Sequence, residues 1–246
     1  MNRFWGQTLS VAALAAAAGS AVPACAHDDA SLFVHGVLAP PPPSGNTCAY
    51  TADPTALHIP RGTVDGAIIR NGYTPEFLLG NTLIPRGNPA TPDSETARIE
   101  VQGAIVKVVD PATNATVEDN TVLTSMIVEP ASGAQPSYSA MFATIMNKAA
   151  IAHFTPPPGG ASRIALVYVT FYGQTLGGQS VQSNQYQYPV SVCWGCLVGA
   201  PVGAQSGYCQ GKFPSASSYI ACELGQDQVS DCQACYGLSA ACDLTP

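Results

Sequence analysis

Cysteine is the residue type best placed to do chemistry in this chain. Nine are present, at Cys25, Cys48, Cys193, Cys196, Cys209, Cys222, Cys232, Cys235 and Cys242. Seven fall between Cys193 and Cys242, a density above the ~8–10% that marks a disulfide scaffold. In an oxidising compartment such thiols pair. Setting Cys25 aside leaves an even set. The tail's own seven are odd, so full pairing within the chain requires one bond from Cys48 into the tail. Sequence does not select among the possible connectivities. Two C-x-x-C pairs, Cys193-Trp194-Gly195-Cys196 and Cys232-Gln233-Ala234-Cys235, offer a rival reading as a zinc site, or as a redox pair for the first. The gap between them exceeds the usual ~15–20 residues, and two further cysteines interrupt it. No helical pattern starts at Cys193 to lower a thiol pKa. The expectation is therefore disulfides, with no metal and no cofactor.

Other catalytic chemistry is not visible. The chain lacks G-x-S-x-G, H-E-x-x-H, Walker-type and G-x-G-x-x-G motifs. His27, His35, His58 and His153 stand far apart in sequence, and His153 reads as a loop or surface residue. The carboxylate pairs Asp93/Glu95 and Glu118/Asp119 sit in polar, turn-like segments and read as solvated surface. Asp227 and Asp231 lack the interleaved ligands of a calcium loop. Asn114-Ala115-Thr116 fits a glycosylation sequon, and the match reads as chance. Tyr168, Phe171, Tyr172, Tyr186 and Tyr188 could line a carbohydrate or peptide surface. Alternation of Gln185 and Gln187 with Tyr186 and Tyr188 turns that tyrosine pair inward. No catalytic residue is assigned.

Composition narrows the partners. Of 246 residues only 10% are charged and 46% are hydrophobic, which disfavours charge-rich disorder. Nine Lys+Arg against sixteen Asp+Glu give a net charge of −7, so a nucleic-acid partner is not expected. Residues 1–24 read as a signal peptide: Arg3, then an uncharged Ala-rich run. Val22-Pro23-Ala24-Cys25 resembles a bacterial lipobox, in which Cys25 becomes the acylated first residue of the mature chain. Cleavage after Ala26, or plain cleavage after Ala24, are the alternatives. No later stretch is long and apolar enough for a second membrane span.

The elements that would position these residues follow from periodicity. Residues 25–49 read as a tether and Pro-rich lead-in, with a short apolar run at Ser31–Leu38 and a stiff spacer at Pro40 to Pro43. Residues 50–192 carry strand signals at Ala56–Ile59, Thr63–Arg70, Phe77–Ile84, Ala97–Val109, Thr121–Val128, Ile164–Tyr172 and Gln185–Val192. The segment Tyr138–Ala150 fits a strand or a short helix. Asp110 to Asn114 breaks the longest run as a turn. Regular strands with Gly/Pro/Asn breaks predict an all-β, Ig-like or fibronectin-like β-sandwich. Residues 193–246 predict a loop-dominated module held by disulfides, because so short and apolar-poor a segment cannot build a core alone.

The two ends of the chain also suggest a family. Cys25 followed by Asp28-Asp29-Ala30-Ser31-Leu32-Phe33-Val34, with Val192-Cys193-Trp194-Gly195-Cys196 and Asp231-Cys232-Gln233-Ala234-Cys235, resembles uncharacterised lipoproteins of myxobacteria and relatives. That resemblance implies an envelope lipoprotein, and it assigns no catalytic residue. Ala26 after Cys25, by similarity to enterobacterial sorting, favours the outer membrane. The expected function is thus a non-enzymatic, lipid-anchored envelope protein with a structural, adhesive, or partner- or glycan-binding role. The rival expectations are an exported hydrolase or metal-dependent enzyme without a recognisable motif, and a zinc-binding or redox-active Cys module.

Overall fold

The computed structural model describes residues 31–41, 48–87, 95–200, 209, 221–237 and 239–242. Cys25 and the rest of the leader lie outside the described residues. The fold is all-β. In chain order the elements are β1 (Leu32–Val37), β2 (Gly62–Asp65), β3 (Glu76–Asn81), β4 (Ile99–Asp110), β5 (Ala115–Val128), β6 (Ser137–Phe142), the α-helix α1 (Lys148–Phe154), β7 (Arg163–Thr175), β8 (Ser180–Gln182), β9 (Tyr186–Cys193), β10 (Val198–Gly199) and β11 (Ser230–Asp231).

Two sheets face each other across one core. The smaller has the order β1-β3-β6, all antiparallel. The larger runs β2-β9-β7-β4-β5, with β8 added to β7. Strand alternation explains the packing: Val101, Val106 and Val108 of β4, and Ala165, Val167, Val169 and Phe171 of β7, all turn inward and are fully buried. From the small sheet Leu32, Phe77, Leu79 and Met141 meet them. Phe77 packs edge-on against Phe171 with ring centroids 5.1 Å apart. Asn81 bridges the sheets: its amide donates to the Ala97 and Val128 carbonyls at 3.0 and 3.2 Å, and its carbonyl accepts from Leu83 N–H at 2.9 Å.

Several boundaries differ from the sequence reading, each for a local reason. Ser31–Leu38 contributes β1, a core strand paired to β3, although it falls in the stretch read as tether. Ala56–Ile59 forms only a single bridge, His58 to Leu38, between Pro54 and Pro60. The predicted strand Thr63–Arg70 stops at Asp65, whose carboxylate caps the turn by accepting from Ala67 N–H. The ambiguous Tyr138–Ala150 resolves into both options, strand β6 and then α1, with Asn147 capping the helix through Ala150 N–H. Asn114, at φ 56°, closes the β4–β5 hairpin, as an Asx residue in the left-handed region can.

β2 pairs parallel with β9 (Gly62 opposite Val190, Asp65 opposite Cys193). The tail then extends the same edge: Val64 bridges Gln226, Asp227 N–H donates to the Thr63 carbonyl, and Asp65 N–H donates to Gly225.

Candidate functional site

The cysteines come together at one end of the two-sheet body. Four pairs stand at disulfide distance: Cys48–Cys222, Cys193–Cys196, Cys209–Cys232 and Cys235–Cys242. Cys48 and Cys222 are 174 residues apart in sequence. Around this link the Pro40 and Pro41 carbonyls accept from Gln228 Nε2 at 3.3 and 3.0 Å, so the Pro-rich segment is sewn to the tail.

Asp65 organises the Cys193–Cys196 turn. It is fully buried, and its Oδ1 accepts from Gly195 N–H at 2.8 Å while Oδ2 accepts from Leu197 N–H at 3.0 Å. Its carboxylate and the two sulfurs lie within 4.8 Å of one another, a grouping that superficially suits a metal. The chemistry argues otherwise. Three backbone N–H groups already occupy the carboxylate, and paired sulfurs offer no thiolate.

A second knot fixes the tail to β2. Asp227, at φ 58°, accepts from Thr63 N–H at 2.8 Å and from the Tyr73 hydroxyl at 2.8 Å. Tyr188 Oη lies 3.4 Å from Tyr73 Oη. Burial pushes the Asp227 carboxyl up to about 6, and burial also raises both tyrosines. Sequence reasoning had only the calcium question for Asp227; its role here is a tail clamp. Asp231 instead caps the turn Cys232–Cys235 through Gln233 N–H.

The carboxylates read as solvated pairs do other work. Glu118 is buried, holds Asn147 N–H at the entry to α1, and accepts from Asn120. Glu95 accepts from Arg86, Gly87 and Ala97 N–H groups, and these bonds hold its carboxyl below the usual range. Asp119 is exposed. His153 sits half-exposed in the last turn of α1, 3.5 Å from Asp110, which Arg163 also pairs at 3.0 Å. Asp93 and His27 lie outside the described residues.

Glu76 escaped the sequence reading, and His58 was seen there only as an isolated histidine. On the outer face of the small sheet they flank Leu38, which bridges His58 and donates its N–H to the Glu76 carbonyl. The segment 48–60 covers this face. The His58 ring rests on Gly36, where a Cβ would stand 2.6 Å from Cδ2. Glu76 is 6% exposed with Oε2 unpartnered, and burial lifts its carboxyl to about 7. His58 Nε2 is likewise buried without a partner, and no ion pair joins the two among the described residues. Tyr50 packs edge-on to Phe142 beside them, and burial with the nearby Glu76 charge pushes its hydroxyl up to about 12.

The five aromatics of the sequence reading split. Phe171 and Tyr188 are core, and Tyr186 packs against the core from the same inner face. Tyr168 and Tyr172 fall on the outer face of the large sheet. There Gly103 lies opposite Tyr172 on one side and Leu123 on the other. A Cβ on Gly103 would stand 2.5 Å from Tyr172 Oη and 2.7 Å from Cζ, so the ring lies down across the glycine. Leu123, 82% exposed, and Ile105, 41% exposed, flank the ring. Thr121 and Thr170 stand either side of Ile105, and Gln182 opposite Tyr172. Lys107, Asp119 and Gln187 close the face in the row of Tyr168.

Comparison with protein-family models returns no match, and comparison with curated proteins returns none either.

Proposed function

We propose that the chain is an exported, lipid-anchored cell-envelope protein of non-enzymatic character, whose large-sheet outer face binds a saccharide chain of the envelope. The scaffold is an Ig-like β-sandwich carrying a C-terminal disulfide-rich module. The strand orders β1-β3-β6 and β9-β7-β4-β5 support the Ig-like reading, because they match an A-B-E sheet facing a G-F-C-C′ sheet, with β2 added in parallel at the edge of β9. Anchorage rests on the lipobox-like Val22 to Cys25 and on the even cysteine set that remains without Cys25.

The observation that carries the binding reading is the Tyr172 ring laid across Gly103 between exposed aliphatic neighbours. A flat ring presents one π-face to solvent, suited to stacking on the C–H face of a sugar. Threonine and glutamine hydroxyl and amide groups around it can exchange hydrogen bonds with sugar hydroxyls. The scarcity of charge in the middle of the face suits a neutral polymer rather than an anion.

Co-sedimentation of the disulfide-intact protein with insoluble cellulose, chitin and peptidoglycan tests this. At least one of these should retain the protein, and Tyr172→Ala should weaken retention about tenfold, the size expected for truncating a central aromatic anchor. Tyr236→Ala, at an exposed tail tyrosine, should leave it unchanged. Retention unaffected by Tyr172→Ala, or no retention by any of the three, would overturn the saccharide reading.

A further inference from the structure

The anchor and the disulfides emerge at opposite ends of the two-sheet body. β1 starts beside the end of β3: Leu32 is opposite Asn81, and Thr82 N–H donates to the Ser31 carbonyl. Asn81 in turn contacts Ala97 and Val128, and Ile99 lies opposite Thr175. The chain toward Cys25 therefore departs from the end that holds the post-β3 segment and the β7–β8 turn. Cys193, with Trp194 following it, lies beyond the far end of β7, since Val192 is opposite Arg163. The length of β7 puts about 40 Å between these ends.

Two features mark the anchor end. Ile84, in the segment after β3, is 72% exposed, and Leu176, in the β7–β8 turn, is 46% exposed. Between these segments lies a cavity of about 230 Å³ lined by Leu83, Arg86, Ala97 and Thr175 among others. Two carboxylates here are compensated: Glu129 pairs with Arg98 at 2.8 Å, and Glu95 is capped by backbone N–H groups. Arg86 is exposed. The surface thus offers apolar tips and an exposed cation, which suit an anionic headgroup layer.

We infer that this end, led by Ile84 and Leu176, is a membrane-facing surface that touches the headgroup layer of the bilayer holding Cys25, with the disulfide-held end pointing away. The inference rests on the anchor reading. Seven residue steps separate Cys25 from Leu32, a span of at most about 25 Å even fully extended. An acylated Cys25 thus keeps the Ile84/Leu176 end close to the lipid. Exposed aliphatic tips beside an arginine are the composition that partitions at such an interface.

Tryptophan fluorescence in the lipidated mature protein, reconstituted in phosphatidylethanolamine/phosphatidylglycerol vesicles with or without shallow brominated acyl chains, reads this directly. Of the two tryptophans, Trp5 lies in the leader and Trp194 at the far end, so the wild type carries its own control. Wild-type emission should not change with bromination. Ile84→Trp and, separately, Leu176→Trp should each lose about half their emission, one of two tryptophans being at the interface. Both sites are exposed, so the substitutions spare the core. Emission of both variants that is as insensitive as the wild type, in protein that floats with the vesicles and carries acyl mass, overturns the orientation and leaves the anchor standing. Quenching of Trp194 itself overturns it too. A mature chain without acyl groups removes the anchor reading, and this inference with it.

Discussion

Single carboxylates decide much of this structure, and their settings differ in ways that titration exposes. Glu76 and Asp227 are raised to about 7 and about 6 because burial penalises their charged forms. Each holds its proton more tightly in the folded chain than in the unfolded one. Their stabilising contribution is therefore complete below the ordinary carboxyl range and is lost as pH rises through 6 to 7. Glu95 and Asp110 are shifted the other way, chiefly by backbone N–H groups, and withdraw stability only under stronger acid. The protein should be more resistant to urea at pH 5 than at pH 8. Glu76→Gln should flatten that dependence and raise the pH 8 midpoint, because a neutral amide replaces a buried charge with an unpartnered oxygen. Urea midpoints of the two proteins across this range check it; parallel profiles would contradict the assignment. The roles of Asp65, Asp227 and Glu76 were invisible to sequence reading for one reason. Their partners or covering segments are remote along the chain, as with Asp65 and Gly195, 130 residues apart.

At the scale of elements, the strands carrying alternating Val and Ile were legible, because a sheet with one face on a core imposes period two. β4, β7 and β9 fall within a few residues of their expected places. The failures have physical causes. β5 begins earlier than its apolar pattern, since Ala115 to Asn120 hold their pairing opposite β4 through the hairpin rather than through burial. Parallel pairing of β2 with β9 leaves no local trace, because the partners are far apart in sequence. The tail's attachment was legible only through cysteine parity, which required a link from Cys48; the structure supplies Cys222 as its partner. Closing that loop restricts the unfolded chain by about 5 kcal/mol in the chain-entropy treatment. Cys48→Ser/Cys222→Ser should therefore lower unfolding free energy by several kcal/mol, up to about that value. The two-sheet core makes no use of this link, so the β circular-dichroism signature should persist at low temperature. Equilibrium urea unfolding followed by circular dichroism measures both; an unchanged midpoint would show the link to be dispensable.

The whole molecule has two unlike ends joined by a sheet with an unusual outer face. At one end the chain leaves toward Cys25, and Ile84 and Leu176 stand exposed; at the other, four cysteine pairs, Asp65 and Asp227 fasten the tail to the β2 edge. Between them Tyr172 lies across Gly103. The proposed tethered, saccharide-binding body would use each of these features, whereas a zinc site would need thiolates where the structure pairs the sulfurs. The outer sheet face was half legible: alternation with Gln turned Tyr186 and Tyr188 inward, but only the register across Gly103 distinguishes Tyr172 from buried Phe171. The most direct test is the intact mass of the mature protein from its native host, taken without reduction and after alkylation. The predicted species begins at Cys25, carries acyl chains, shows the hydrogen loss of four disulfides, and takes up no alkylating agent. An unmodified chain beginning at His27, or alkylation of tail thiols before reduction, would contradict it.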